Sequence, residues 1–172
     1  MDLFILRHGE AGKRLPSATR DFHRPLTVAG KREVRDIAKS LKETGVKFNF
    51  IITSPLKRAY QTASIVVMVF KRKSNIETWD ELKPEGNSVD LYRKLSQKFK
   101  QDSSILIVGH EPYLSSMIRD IISDGGRLGT PIGRVILKKA GLARVRITSS
   151  SDQMLQGELR WLLTPGLMKK IK

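Results

Sequence analysis

Asp2-Leu3-Phe4-Ile5-Leu6-Arg7-His8-Gly9 begins as a short apolar run and closes on Arg-His-Gly. A continuous apolar run of this length, bounded by a charge, reads as a strand buried on both faces rather than as a half-exposed strand, which would alternate. Phe48 to Thr53, Ile76 to Trp79 and Ile105 to Val108 have the same character, the last followed by Gly109-His110. Between and after these runs the apolar residues fall at helical spacing. Val34, Ile37, Ala38 and Leu41 form one set, Tyr60, Ala63, Val67 and Phe70 a second, and Leu91, Tyr92, Leu95 and Phe99 a third. Leu114, Met117, Ile118, Ile121 and Ile122 form a fourth, stopped at Asp124-Gly125-Gly126.

Four strand-then-helix units in succession predict an α/β fold: a single three-layer domain over residues 1–172, with a mostly parallel central sheet and helices on both faces. Beyond Gly129 the pattern changes. Arg134 to Lys138, Leu142 to Thr148 and Glu158 to Leu163 are alternating or β-branched and separated by Gly or Ser clusters, so they read as C-terminal edge strands. The first two are expected to form a hairpin turned at Ala140-Gly141.

Composition narrows the function classes. The 172 residues include no cysteine, which excludes disulfides and cysteine-built metal sites. The longest aliphatic and aromatic run, Ile65 to Phe70, is far too short to cross a bilayer, and no basic-then-apolar leader opens the chain. A cytoplasmic protein without membrane attachment is expected. The formal net charge of +15 favours anionic partners, and residues 125–172, with 10 basic and 2 acidic side chains, are the more basic part.

In a sheet of this kind the working site lies beyond the C-terminal ends of the strands. That rule brings His8 and His110 to one edge, since each follows a strand. Arg7 closes the first strand, Arg58 opens the helix after the second, and Glu81 follows the third. Two imidazoles, two guanidinium groups and a carboxylate suit phosphoryl transfer. An imidazole can attack phosphorus and carry the phosphoryl group covalently. Arginine forks match phosphate oxygens, and Gly9 would let the backbone approach a substrate closely.

Four segments carry a family resemblance: Leu6-Arg7-His8-Gly9-Glu10-Ala11, Arg24-Pro25-Leu26-Thr27-Val28-Ala29-Gly30, Ser54-Pro55-Leu56-Lys57-Arg58-Ala59-Tyr60-Gln61-Thr62-Ala63, and Val108-Gly109-His110-Glu111-Pro112. In this order they resemble the histidine phosphatase (phosphoglycerate mutase-like) superfamily, and within it the phosphohistidine phosphatases of the SixA type. The resemblance implies that His8 is the nucleophile and that Arg7, Arg58 and His110 bind the phosphoryl group. Arg24 either orients the same phosphate or caps its loop. Glu81 stands where many members place a proton donor, with Asp80 and Glu85 as alternatives. Only 46 residues separate Ala63 from His110, too few for a large cap over the site. An uncapped site suits a phosphorylated side chain on another protein.

The expected activity is therefore hydrolysis of protein phosphohistidine through phospho-His8, without metal or cofactor. Small phosphate esters are the alternative substrates, and a mutase the alternative reaction. A third reading is a basic module that binds nucleic acid or phosphoprotein without turnover. The chain has no recognisable nucleic-acid motif and little aromatic interleaving, which argues against nucleic acid as the partner. A metal held by His8, His23 and His110 is disfavoured by the adjacent arginines, and His23, outside every motif, is expected at the surface.

Overall fold

The computed structural model describes residues 1–71, 76–123 and 134–170. In chain order the elements are β1 (Asp2–Arg7), α1 (Ala18–Phe22), α2 (Val28–Glu43), β2 (Phe50–Thr53), α3 (Lys57–Phe70) and β3 (Ile76–Thr78). A 3-10 turn (Asp80–Leu82), α4 (Ser88–Lys98), β4 (Ser104–Gly109), α5 (Tyr113–Ile122), β5 (Leu142–Ser150), β6 (Leu155–Leu163) and α6 (Pro165–Met168) follow. The expected helix stop at Asp124-Gly125-Gly126 lies outside the described residues. Among the described residues no helix is long and apolar enough to cross a membrane.

Among the described residues, six strands form one sheet in the order β3-β2-β4-β1-β5-β6. The first four are parallel; β5 and β6 add antiparallel at one edge. Strand side chains alternate between two cores, as a period of two requires. Leu3, Ile5, Ile52, Ile105 and Ile107 pack with α4 and α5, whereas Phe4, Leu6, Ile51, Leu106 and Val108 pack with α2 and α3. That two-sided burial is why the strand runs are continuously apolar.

The topology also places the site. β1 and β4 are neighbours, with Arg7 opposite Gly109. The chain leaving β1 runs to α2 on one face, and the chain leaving β4 runs to α5 on the other. Their divergence opens a crevice at the carboxyl ends of the two strands, the position where open α/β sheets bind ligands. Beside it Gly30, three residues past the α2 cap Thr27, lies so close to the Glu10 carbonyl that a Cβ would stand 2.1 Å from its oxygen.

The C-terminal third departs from expectation. Arg134 to Lys138 is not a strand, although Val135 and Leu137 alternate with polar neighbours. Side chains take up the backbone groups a strand partner would use: Leu137 N donates to Ser115 Oγ at 3.3 Å, and its carbonyl accepts from Arg7 Nη1 at 2.9 Å. Lys138 to Gly141 is a tight turn closed by Gly141 N to the Lys138 carbonyl, with Ala140 in the left-handed region at φ 53°. The edge hairpin is β5–β6, turned over residues 151–154 rather than at Ala140-Gly141.

Candidate active site

His8 follows β1 directly and is buried. Its backbone N–H continues the sheet by donating to the Gly109 carbonyl at 3.1 Å. Its Nδ1 lies 2.7 Å from the Gly9 carbonyl. A carbonyl only accepts, so Nδ1 carries the proton and Nε2 keeps its lone pair. Arg58 Nε donates to that Nε2 at 3.3 Å. Burial lowers the His8 pKa to about 4, the Gly9 bond opposing and Arg58, Arg7 and Arg24 adding to the effect. At neutral pH His8 is an uncharged base.

His110 closes the other side of the crevice, its ring centroid 5.0 Å from that of His8. Ser54 is brought alongside because β2 pairs with β4, and its Oγ lies 2.8 Å from His110 Nε2. Burial first, and His8 and Arg58 after it, lower the His110 pKa to about 2. Its Nδ1 is buried without a hydrogen-bond partner.

Three arginines surround this pair, held in different ways. Arg58, in the first turn of α3, bonds the Asp21 carbonyl at 3.0 Å and pairs with the Asp21 carboxylate at 3.3 Å. Arg24 pairs with the same carboxylate at 2.7 Å and also donates to the Gly12 carbonyl. Burial would raise the Asp21 carboxyl, but the bonds from Arg24 and Leu15 N and the nearby charge of Arg58 hold it below the ordinary aspartate value. Arg7 is anchored on the Leu137 carbonyl, and its Nε is buried without a partner.

The remaining motif residues hold the loops. Thr62 Oγ1 accepts from Gly9 N and donates to the Arg58 carbonyl, tying the first and third segments together. Gln61 Oε1 accepts from Leu26 N, tying in the second. A Cβ on Gly9 would stand 2.6 Å from Val34 Cγ2, so the glycine is demanded by the packing of α2 beneath it.

A cleft of about 860 Å³ opens over the site, its wall including Asp21, His23, Arg24, Arg58, Glu85, His110 and Glu111. His8 also borders a second, smaller hollow with Lys13, Arg14, Arg24 and Lys139. The predicted residues do not all converge. Glu81 is outside both hollows and pairs with Lys94 at 3.0 Å. Asp80 is likewise outside and pairs with Lys83. Of the three predicted acids Glu85 alone lines the main cleft, on its exposed rim. His23 is exposed and contributes to the same wall.

Sequence reasoning missed Asp21, Ser54 as a partner of His110, and Glu111. The i,i+3 spacing of Asp21 and Arg24 was the available signal for the first. The other two lay inside quoted segments without a reason to single them out.

Residues 3–85 match the profile of the Histidine phosphatase superfamily (branch 1). An uncharacterized protein of Picosynechococcus is 30% identical over 167 residues, 95% of this chain and 99% of its own length. The chain belongs to the histidine phosphatase superfamily. It is also 29% identical to phosphohistidine phosphatase SixA of Escherichia coli, over 100% of this chain and 99% of that protein. The solved structure of the protein histidine phosphatase SixA complexed with tungstate superposes with a TM-score of 0.78 at 28% identity, covering 96% of this chain and 98% of that one. Sequence and fold agree on a phosphatase of this superfamily.

Proposed function

We propose that this phosphatase removes the phosphoryl group from phosphohistidine on another protein, through a covalent intermediate on His8 and without metal or cofactor. The observation that carries the reading is the fixed tautomer of His8. With Nδ1–H held by the Gly9 carbonyl, the Nε2 lone pair is the only nucleophilic position, and it faces the guanidinium of Arg58. His8 Nε2 forms the N–P bond as the bond to the substrate imidazole breaks. Water then attacks phospho-His8, releasing phosphate and restoring the imidazole.

Arg58 and Arg24, with Arg7 nearby, supply the positive charge that phosphoryl oxygens need, which removes the requirement for a divalent cation. Ser54 Oγ accepts from Leu56 N, so its own proton is free for His110 Nε2. The ring proton of His110 then sits on Nδ1, the unpartnered nitrogen, as a donor for a phosphoryl oxygen.

Similarity to the Escherichia coli phosphohistidine phosphatase along the whole chain supports the substrate class. So does the cleft, whose rim carries exposed Arg14, His23, Glu85 and Pro112 at the molecular surface. The reading treats residues 1–172 as one phosphatase domain acting in the cytoplasm.

The experiment is phosphate release, with chelator present, from a histidine-phosphorylated acidic protein domain and from a panel of small phosphate esters. Release from the phosphoprotein that vanishes in His8→Ala is expected. Preference for the esters would move the assignment to a metabolite phosphatase.

A further inference from the structure

Glu111 is the one carboxyl group of the main cleft, among the described residues, that is neither neutralised by an ion pair nor out on the rim. Asp21 is bound by two arginines and Glu85 is exposed. Glu111 follows His110 at the end of β4 and lines the cleft beside His110 and Arg58. Its Oε1 is shielded from water and has no hydrogen-bond partner. An unpartnered, dry carboxylate oxygen is costly when ionised and protonation relieves the cost, which the Ser115 hydroxyl and N–H, bonding the same carboxyl, offset only in part.

The surroundings agree. Burial raises the Glu111 pKa above the ordinary glutamate value, against the opposing effects of Ser115 and Arg7. The charged groups sharing its wall are Arg58 from α3, Arg14, Asp21 and Arg24 from the segment around α1, and Lys83 and Glu85 from the turn before α4, with the imidazoles of His23 and His110. None makes an ion pair with it. Arg7, approaching from β1, likewise keeps a buried Nε without a partner. Burial thus favours the protonated carboxyl while Ser115 and Arg7 favour the carboxylate, opposing influences of the kind that suit a group passing a proton both ways.

We propose that Glu111 is the acid–base residue of this site, giving a proton to the leaving group and then taking one from the attacking water; the role rests on the phospho-His8 reading above. In the first step His8 Nε2 bonds to phosphorus, the bond from phosphorus to the leaving oxygen or nitrogen breaks, and that atom receives the Glu111 proton. In the second step the water oxygen bonds to phosphorus, the N–P bond breaks, and the Glu111 carboxylate receives the water proton. Phosphate, neutral His8 and protonated Glu111 result, and the cycle closes. An acid at this place lets the enzyme act on poor leaving groups such as alkoxides, which phosphohistidine does not demand.

The test is a comparison of leaving groups. Single-turnover rates of the full chain and of Glu111→Gln are measured with ethyl phosphate, whose leaving group needs a proton, and with p-nitrophenyl phosphate, whose leaving group does not. The expected result is an alkyl-to-aryl rate ratio about 10²-fold lower in the variant, the usual size of a general-acid effect. Binding of inorganic phosphate by the variant serves as the check on its fold. Equal losses on both substrates with phosphate binding retained would overturn the role and leave Glu111 as a positioning group. Equal losses with phosphate binding also lost would assign it to holding the fold, and no loss on either would exclude it from the chemistry. A wild-type chain whose turnover does not depend on His8 would instead sink the phospho-His8 reading, and this role with it.

Discussion

Arg58 Nε lies 3.3 Å from His8 Nε2, so the nitrogen assigned to attack phosphorus is already in contact with a cation. The contact costs His8 basicity, because a guanidinium beside an imidazole disfavours its protonation. It also aims the Arg58 donors at the place where a phosphoryl group on Nε2 would put its oxygens. A lysine would keep the charge but lose the planar fork. Arg58→Lys should therefore lower kcat/KM by about 10²-fold or more, the size expected when an oriented donor to a developing oxyanion is lost. Steady-state kinetics on one phosphoramidate substrate decide it; a loss under threefold would mean that charge alone suffices.

The two histidines also set a pH dependence of stability. Both have folded pKa values below the ordinary imidazole value of 6.5, His8 at about 4 and His110 at about 2. A group depressed in the folded state binds protons more readily when unfolded, so stability is complete above pH 6.5 and falls as the pH drops toward the folded values. His8 alone accounts for on the order of 3 kcal/mol across that range. Urea unfolding should show a marked loss between pH 7 and pH 5, above the range where ordinary carboxylates titrate. His110→Gln should flatten the curve, and an unchanged slope would mean that His110 is not buried as a neutral ring.

Glu81 makes a contrasting case. Its carboxylate holds Lys94, whose ammonium also sits 4.5 Å from the Trp79 ring centroid, and neither hollow at the histidines reaches it. Glu81→Gln should change turnover by less than about threefold and stability by no more than about 1 kcal/mol, the range of exposed ion pairs. A large loss on alkyl phosphates alone would restore Glu81 as the acid in place of Glu111.

These residues show where the sequence was legible. The continuous apolar runs at Leu3 to Leu6 and Ile105 to Val108 identify central strands, because burial on both faces leaves no alternative composition. Once those strands are parallel neighbours, His8 and His110 must meet. Glu81 was misplaced by the same rule applied too far. β3 is an outer strand of three residues, and the 3-10 turn after it carries residue 81 away from the crevice between β1 and β4. Leu137 misled in another way: its spacing is that of a strand, yet its backbone bonds go to the side chains of Arg7 and Ser115, and such partners leave no mark on local periodicity. Asp21 was hidden because its two partners lie in different segments, 3 and 37 residues away.

Gly30 tests how far the second motif is scaffold. A methyl group there would meet the Glu10 carbonyl oxygen at 2.1 Å, and that oxygen also accepts from Thr27 N, so neither backbone can yield without breaking the crossing. Overpacking against rigid backbone costs about 1–3 kcal/mol or more. Gly30→Ala should lower the urea midpoint accordingly and reduce activity through displacement of the His8 loop. A variant as stable as the parent would show that the crossing is not tight in solution.

Asp21 is the residue through which the arginines are coupled. One carboxylate pairs with Arg24 at 2.7 Å and Arg58 at 3.3 Å, so it fixes the angle between two guanidinium groups while placing a negative charge next to the site that must take an anion. The two effects oppose each other in binding but not in turnover. Asp21→Asn removes the charge and keeps the shape, so repulsion of phosphate falls while the arginines lose the charge-assisted bonds that align them. Inorganic phosphate should then inhibit the variant several-fold more tightly, whereas kcat should fall about tenfold, as loss of positioning without loss of chemistry predicts. Product-inhibition kinetics separate the two quantities in one experiment. Weaker phosphate binding together with lower kcat would mean that alignment outweighs repulsion even in the ground state, and that Asp21 acts by positioning alone.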